Sequence, residues 1–338
     1  MDAPDYIPLV EAPAAEALAA LGPFTLCASD PPWSSLAARL PRPARVVAAW
    51  DLDAAHLETL LTDEPDTATG VGFGGGSALD TAKFIAWRTG KRLVQIPTIT
   101  SVDAAFTDAV GVREAGKVRY VGQVLAERVV LDVDLVRSAP SRLNRAGIGD
   151  VLSCHTGLHD WKLSVAAGRG PAWDADAAAL GETLLAELAE VVDEVAQVSP
   201  TAVRWLASAY RRIGAMCHRI GHSFFEEGSE HYFGYAYEHL SGAHPLHGEL
   251  IGLGVLLMST VQQNDPSRVR DLLVRSHMHC HPADIGMTRE HFEAALTSLR
   301  EYVEREGLGH SVVDAMVLDS GAVRELWTLA DALPRRST

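Results

Sequence analysis

Short apolar runs recur through the first 140 residues: FTLCAS (24–29), ARVVAAW (44–50), TATGVGF (67–73), RLVQIPT (92–98) and RVVLDVDLV (128–136). Turn and helix signals separate them, the pattern left by strands of a parallel sheet covered on both faces. Between the fourth and fifth runs, AAFTDAVGVREAGKVRYVGQVL (104–125) sets a polar EAGK turn between β-prone segments, which predicts a hairpin inserted into this α/β domain. Beyond Pro140 the period lengthens. The stretches VLSCHTGLHDWKLSV, DADAAALGETLLAELAEVVDEVAQV, VRWLASAYRRIGAMCHRI and TREHFEAALTSLREYVERE all read as helices. In the last, Phe292, Leu296, Leu299 and Val303 recur behind Thr288, a predicted N-cap. The pattern predicts an N-terminal α/β domain over residues 1–140 and an all-helical domain over 141–338.

The length of 338 residues exceeds what one core usually serves and agrees with two domains. With 47% hydrophobic and 22% charged residues, the chain has the composition of a folded protein. A net charge of -15, with Lys and Arg scattered rather than gathered in a stripe, argues against nucleic acid and anionic membrane as partners. The acidic start MDAPDYIPLVEAPAAEALAAL lacks the basic and apolar regions of a signal peptide, and no apolar run is long enough to span a bilayer. A cytoplasmic location is therefore expected. Cys27, Cys154, Cys217 and Cys280 lie far apart without a CxxC pair and read as free thiols.

Two stretches carry candidate chemistry. GVGFGGGSALDTAKFIAW places Gly74, Gly75, Gly76 and Ser77 where a strand ends and a helix begins. There, missing side chains and free N–H groups can close on a pyrophosphate. The bland alternative is a tight turn and a capped helix, with Ser77 and Asp80 as a capping-box variant. The GxGxxG match is inexact and lacks the acidic residue about twenty positions downstream. Asp30, just after the first strand, is either a turn aspartate or an acceptor for an adenosine ribose, in which case its charge favours NAD over NADP.

The second stretch, GSEHYFGYAYEHLSGAHPLHGE (228–249), holds four histidines and three glutamates but no Lys or Arg, the donor set of a divalent cation. His231 and His247 are sixteen residues apart, so they would have to meet from two helices joined by the SGAHPL turn, and a third ligand must come from elsewhere. His239 reads as an ordinary surface or core histidine. His244, beside Pro245, is exposed by expectation, or serves as a proton relay next to a metal. A rival cluster, HMHCHP (277–282), ends a predicted helix and brings no carboxylate.

Together these residues resemble the metal-dependent polyol dehydrogenases of the dehydroquinate synthase-like fold, particularly the glycerol-1-phosphate dehydrogenases and, more distantly, the glycerol dehydrogenases. The motifs are GGGSALDTAK (74–83), PTITSVDAAFT (97–107), AGIGDVLSCHTGLHDWKL (146–163), GSEH (228–231) and LHGELIGLG (246–254), in the family's order. The resemblance implies a Rossmann-like α/β domain followed by an all-α domain, with NAD or NADP as cofactor. It also implies that Asp150, His231 and His247 hold Zn2+ or Fe2+, which would act as a Lewis acid on a substrate oxygen. By the same matching, Gly74, Gly75, Gly76, Ser77, Ala78 and Asp80 fall on the cofactor loop, and Thr98, Thr100, Ser101 and Thr107 on further cofactor contacts. Asp103 falls on a substrate-contacting aspartate; its alternative is an Asx-turn residue. A homo-oligomer acting on a small-molecule alcohol or ketone is implied as well.

The chain departs from that pattern beside the substrate position that the resemblance implies. Tyr235 stands four residues after His231, where glycerol-1-phosphate dehydrogenases carry a substrate-contacting histidine, and Glu226 and Glu227 replace small or basic residues. Tyr235 and His244 are accordingly the expected pocket residues. Two alternative functions share parts of this pattern. A sugar-phosphate cyclase of the same fold would normally carry glutamate at position 150 and more pocket lysines and arginines. A non-catalytic metal- or nucleotide-binding relative would be favoured by loss of a ligand, and all three are present.

Overall fold

The computed structural model describes residues 6–336. Its strands are β1 (Leu9–Glu11), β2 (Phe24–Ala28), β3 (Arg45–Ala48), β4 (Thr69–Gly74), β5 (Arg92–Pro97), β6 (Ala109–Glu114), β7 (Lys117–Gln123) and β8 (Arg128–Leu131). Six form one sheet in the order β1-β8-β5-β4-β2-β3, and every pairing in it is parallel. Both β2 and β4 are buried along their whole length, which is why they read as continuous apolar runs rather than as alternating ones. Leu18, Leu26, Phe73, Val94 and Ile96 belong to the core cluster on this sheet, each stabilising it by about 1.5–3 kcal/mol on burial.

The antiparallel hairpin β6–β7 is where the sequence put it. Ala115 and Gly116 both take positive φ (49° and 76°), the two-residue connection whose twist matches that of paired strands. Val110 and Val112 of β6 cluster with Phe84 and Leu57, seating the hairpin on the helix Gly76–Thr89.

By its internal contacts the chain divides into two units: residues up to Asn144 with Ser199–Arg219, and Arg145–Val198 with residues from Ile220 onward. The helix Pro200–Ile220, expected with the helical half, is thus grouped with the sheet for nearly its whole length. Its side chains explain the grouping. Arg211 Nε donates to the Ile7 carbonyl at 2.8 Å and Tyr210 Oη to the Thr100 carbonyl at 3.1 Å. At Gly214 a Cβ would fall within 2.1 Å of the Phe106 carbonyl oxygen, so only glycine allows this approach.

Other differences are local. The strand β1 has three residues with no apolar alternation, and its place comes from parallel pairing with β8. The run RVVLDVDLV yields a strand only to Leu131, because the Asp132 side chain accepts from Leu135 N–H and starts the helix Val133–Ser138. Thr288 does cap its helix, accepting from His291 N–H at 3.2 Å, but the stretch behind it is two helices, Arg289–Thr297 and Leu299–Glu306.

The second unit contains the helices Ile148–Leu152, Cys154–Ala166, Ala175–Ala196, Ser229–Ser241 and His247–Val261, with further helices toward the C-terminus. Phe233, Phe292 and Trp327 stack edge-on in its core, with centroids 6.0 and 5.1 Å apart. No helix among the described residues is long and apolar enough to cross a membrane.

Candidate metal centre and nucleotide loop

At the glycine loop, β4 ends at Gly74, and the helix Gly76–Thr89 begins after Gly75 with no side chain capping it. The capping-box alternative is therefore not what forms: Ser77 lies inside the first turn, and Asp80 pairs with Lys83 (3.1 Å) instead. Burial raises the Asp80 pKa, against the charge of Lys83. Gly74 has φ 153°, and a Cβ there would lie 2.3 Å from Ser29 Oγ; one on Gly75 would lie 2.8 Å from Ile99 Cδ1. At Gly74 a side chain would collide with Ser29 and Ala78, so the backbone there is bare, and an uncapped helix start is a ready anion site.

The segment after β5 lies alongside. Thr98 N–H donates to the Gly74 carbonyl at 3.0 Å, and the buried Thr98 Oγ1 has no hydrogen-bond partner. Thr100 is held by Asn144 Oδ1 through its N–H (2.9 Å), and Ser101 is buried. Thr107 Oγ1 accepts from Lys83 Nζ at 2.7 Å. Ala78 is buried within the helix, whose first-turn bond runs from its N–H to Gly75. The bare loop, the uncapped helix and the orphaned threonine hydroxyl suit a dinucleotide. Asp30 is exposed after β2, one oxygen accepting from Ser34 N–H at 3.0 Å. Asp103 is half-buried, and its carbonyl accepts from Phe106 N–H at 2.8 Å.

In the helical unit, Asp150, His231 and His247 each offer a ligand atom, all within 4.8 Å of one another. Each comes from a different helix: Ile148–Leu152, the first turn of Ser229–Ser241, and the first residue of His247–Val261. His247 Nε2 stands 3.3 Å from Asp150 Oδ1, and the two imidazole centroids are 5.4 Å apart. Glycines allow this convergence. A Cβ on Gly149 would lie 2.3 Å from the Gly248 carbonyl oxygen, and one on Gly248 only 1.9 Å from that of Ala146. Similarly, a Cβ on Gly254 would lie 2.7 Å from the Glu230 carbonyl oxygen. The glycines flanking Asp150 and His247 in the sequence are thus the points where backbones touch.

The buried Glu230 accepts from His231 Nδ1 at 2.8 Å and from Gly228 N–H at 2.6 Å. That bond leaves the Nε2 of His231 for a cation, the usual support of a metal-bound histidine. Burial alone would lower the His231 pKa. The hydrogen bond and charge of Glu230, with the charges of Glu227 and Asp150, outweigh burial and raise it to about 9. One carboxylate and two imidazoles so arranged fit Zn2+ or Fe2+. Asp160 steadies the same turn, accepting from Ser229 N–H and Val312 N–H, both at 2.8 Å. Burial, then the charge of Glu230, pushes its pKa up to about 7.

Tyr235, one helical turn along from His231, has its ring centroid 6.0 Å from that imidazole and donates its hydroxyl to Glu227 Oε1 at 2.7 Å. His244 is exposed and turned toward Glu238 at 3.5 Å, not brought into the triad. His239 packs on Tyr302 with centroids 5.6 Å apart. The HMHCHP stretch forms no three-donor group among the described residues. Glu230 and Asp160 were not singled out in the sequence. Neighbouring helical residues do not normally face each other, so the Glu230–His231 contact depends on the helix start at Gly228. The signal available was the carboxylate directly preceding a ligand histidine.

The chain is similar to known proteins in both sequence and fold. Residues 38–140 match the family model described as iron-containing alcohol dehydrogenase. The glycerol-1-phosphate dehydrogenase (NAD(P)+) of Hyperthermus butylicus is 32% identical over 228 residues, 67% of this chain and 65% of that protein. The match thus spans slightly less than two thirds of that relative. The enzyme of the same name from Methanoculleus marisnigri is 30% identical over 252 residues, 73% of this chain and 69% of that one. Among solved structures, a probable glycerol dehydrogenase from Sinorhizobium meliloti superposes with a TM-score of 0.74 at 21% identity, covering 97% of each chain. The parallel sheet, the helical unit and this superposition give the dehydroquinate synthase-like fold. With these relatives and the matching family model, the chain belongs to the iron-containing alcohol dehydrogenase family.

Proposed function

We propose that the protein is an NAD(P)- and divalent-metal-dependent oxidoreductase. It transfers a hydride between the nicotinamide and a small polyol, polyol phosphate or related alcohol. The observation that carries this reading is the convergence of Asp150, His231 and His247 within 4.8 Å, with Glu230 fixing the orientation of His231. When bound there, a divalent ion supplies Lewis acidity toward a substrate oxygen. The chain's own residues do the rest. Asp150, His231 and His247 hold the ion, and Glu230 keeps Nε2 of His231 directed to it. The loop Gly74–Ala78 with Thr98, Thr100 and Ser101 seats the dinucleotide, and Asp30 favours NAD through the ribose hydroxyls. Asp103 and Tyr235 are the candidate contacts to the remaining substrate hydroxyls. The relatives named for glycerol-1-phosphate and for NAD(P)+ support the same reaction class.

The test is NADH and NADPH oxidation by protein loaded with Zn2+ or Fe2+, with small hydroxyketones and their phosphate esters as acceptors. The expected result is metal-dependent turnover, faster with NADH. Absence of turnover with either metal and either nucleotide across the panel would overturn the reading.

A further inference from the structure

We infer that the Tyr235–Glu227 pair makes this a site for an uncharged polyol or hydroxyketone and excludes the phosphate ester. The inference rests on the reading above that the triad is where substrate binds. Its grounds are the geometry of one helix start. Tyr235 Oη donates to Glu227 Oε1 at 2.7 Å, and Ser223 Oγ donates to Glu227 Oε2 at 2.8 Å. With both oxygens engaged, the carboxylate is held in place, and it holds the phenol beside His231. The phenol oxygen can accept a hydrogen bond from a substrate hydroxyl while its own O–H stays directed to Glu227.

A phosphate would meet the opposite of what it needs, which is cationic or N–H donors. The charged groups gathered at this site are carboxylates: Glu230 bonds to His231, Asp150 lies 3.3 Å from His247, and Glu227 bonds to Tyr235. A divalent ion offsets two of these three negative charges and leaves an excess. No Lys or Arg occurs from residue 220 to 267, the stretch carrying both histidine ligands and Tyr235. Elsewhere in this unit, Lys162 lies over Trp173, Arg169 binds Asp314, and Arg145 donates to the Ala196 carbonyl. A fixed carboxylate in a stretch that carries no Lys or Arg is selection by repulsion, and it leaves an uncharged hydroxyl compound unaffected.

The test uses Zn2+-loaded wild type, Glu227→Gln and Tyr235→Phe. Titration calorimetry with glycerol and with glycerol phosphate runs beside NADH-linked reduction of dihydroxyacetone and dihydroxyacetone phosphate. For wild type, the expected preference for the uncharged compound is at least about tenfold in Kd and in kcat/KM. Glu227→Gln narrows that ratio about tenfold by improving the phosphate arm, and Tyr235→Phe weakens the uncharged arm. A wild-type preference for the phosphate ester, a ratio unmoved by both substitutions, or no binding of either compound overturns the inference. If neither ketone is reduced but calorimetry still shows the preference and its loss in Glu227→Gln, the oxidoreductase reading fails and this inference stands. If the ester is the better substrate, the inference fails and the oxidoreductase reading stands.

Discussion

Two histidine-rich stretches of the helical unit have opposite fates. Residues 228–249 supply two arms of a three-donor centre, whereas 277–282, with three histidines and a cysteine in six residues, supply none. Both are largely buried, so burial does not separate them. The first places its histidines in the opening turns of two helices whose backbones touch at glycines, facing a carboxylate from a third helix. The second follows the end of the helix Pro266–Arg275, and its side chains go to separate partners. His281 Nδ1 accepts from Ala283 N–H, and Cys280 Sγ donates to the Glu249 carbonyl. Their electrostatics diverge too: carboxylates raise the His231 pKa, whereas burial, then Arg336 and Arg145, lowers that of His277. The three donors of this centre converge from separate helices, with a carboxylate among them. A high local count of donors is not enough.

The largest effect that can break this comparison is loss of the ion. Asp150→Ala should weaken Zn2+ binding more than about 100-fold, since even residues that merely support a ligand cost 10–100-fold. The paired variant His279→Ala should retain a full equivalent. Metal content after dialysis measures both, and retention in the first or loss in the second would assign the centre to the wrong stretch.

Next is the glycine contact. Gly248→Ala puts a methyl where the Ala146 carbonyl lies, 1.9 Å from its oxygen. Overpacking of this kind should cost about 1–3 kcal/mol and lower Tm by roughly 2–10 °C, with weaker metal binding because His247 is the preceding residue. An unchanged Tm in thermal denaturation would show that helix approach does not set the site.

A further effect is a pH dependence of the metal-free protein. The folded-state pKa of His231 is raised from 6.5 to about 9 and that of Asp160 from 3.8 to about 7. In both cases the folded state binds its proton more tightly than the unfolded chain, so stability falls as pH rises. The Asp160 contribution declines between about pH 4 and 7, and that of His231 is full below about 6.5 and lost through about 9. The Tm of metal-free protein should therefore be higher at pH 6 than at pH 9, with a smaller difference when Zn2+ replaces the proton on His231. A flat or rising profile would contradict the acidic surroundings assigned to His231.

Each of the five long apolar runs contains a strand of the sheet, because buried parallel strands must be apolar on both faces and so are visible without partners. The hairpin was visible because its turn needs two left-handed residues and Ala115–Gly116 lies between β-prone segments. The strand β1 was not, since three residues with no alternation derive their strand character from β8. Nor was the grouping of the helix Pro200–Ile220 with the sheet, since amphipathic periodicity says that a face is buried but not against what.

The sequence alone named the candidate donors. His231 and His247 were legible because metal chemistry admits few residue types and those stand out where Lys and Arg are absent, whereas Asp150 came only from the resemblance of the ordered motifs. Only the tertiary structure decided that these three meet while His244 turns to Glu238, that Glu230 orients His231, and that Glu227 holds Tyr235. The reason is geometric. Residue type fixes what a side chain can bind, but which partner it finds depends on where separate helices cross, and those crossings are set by backbone contacts at Gly149, Gly248 and Gly254 between segments far apart in the chain.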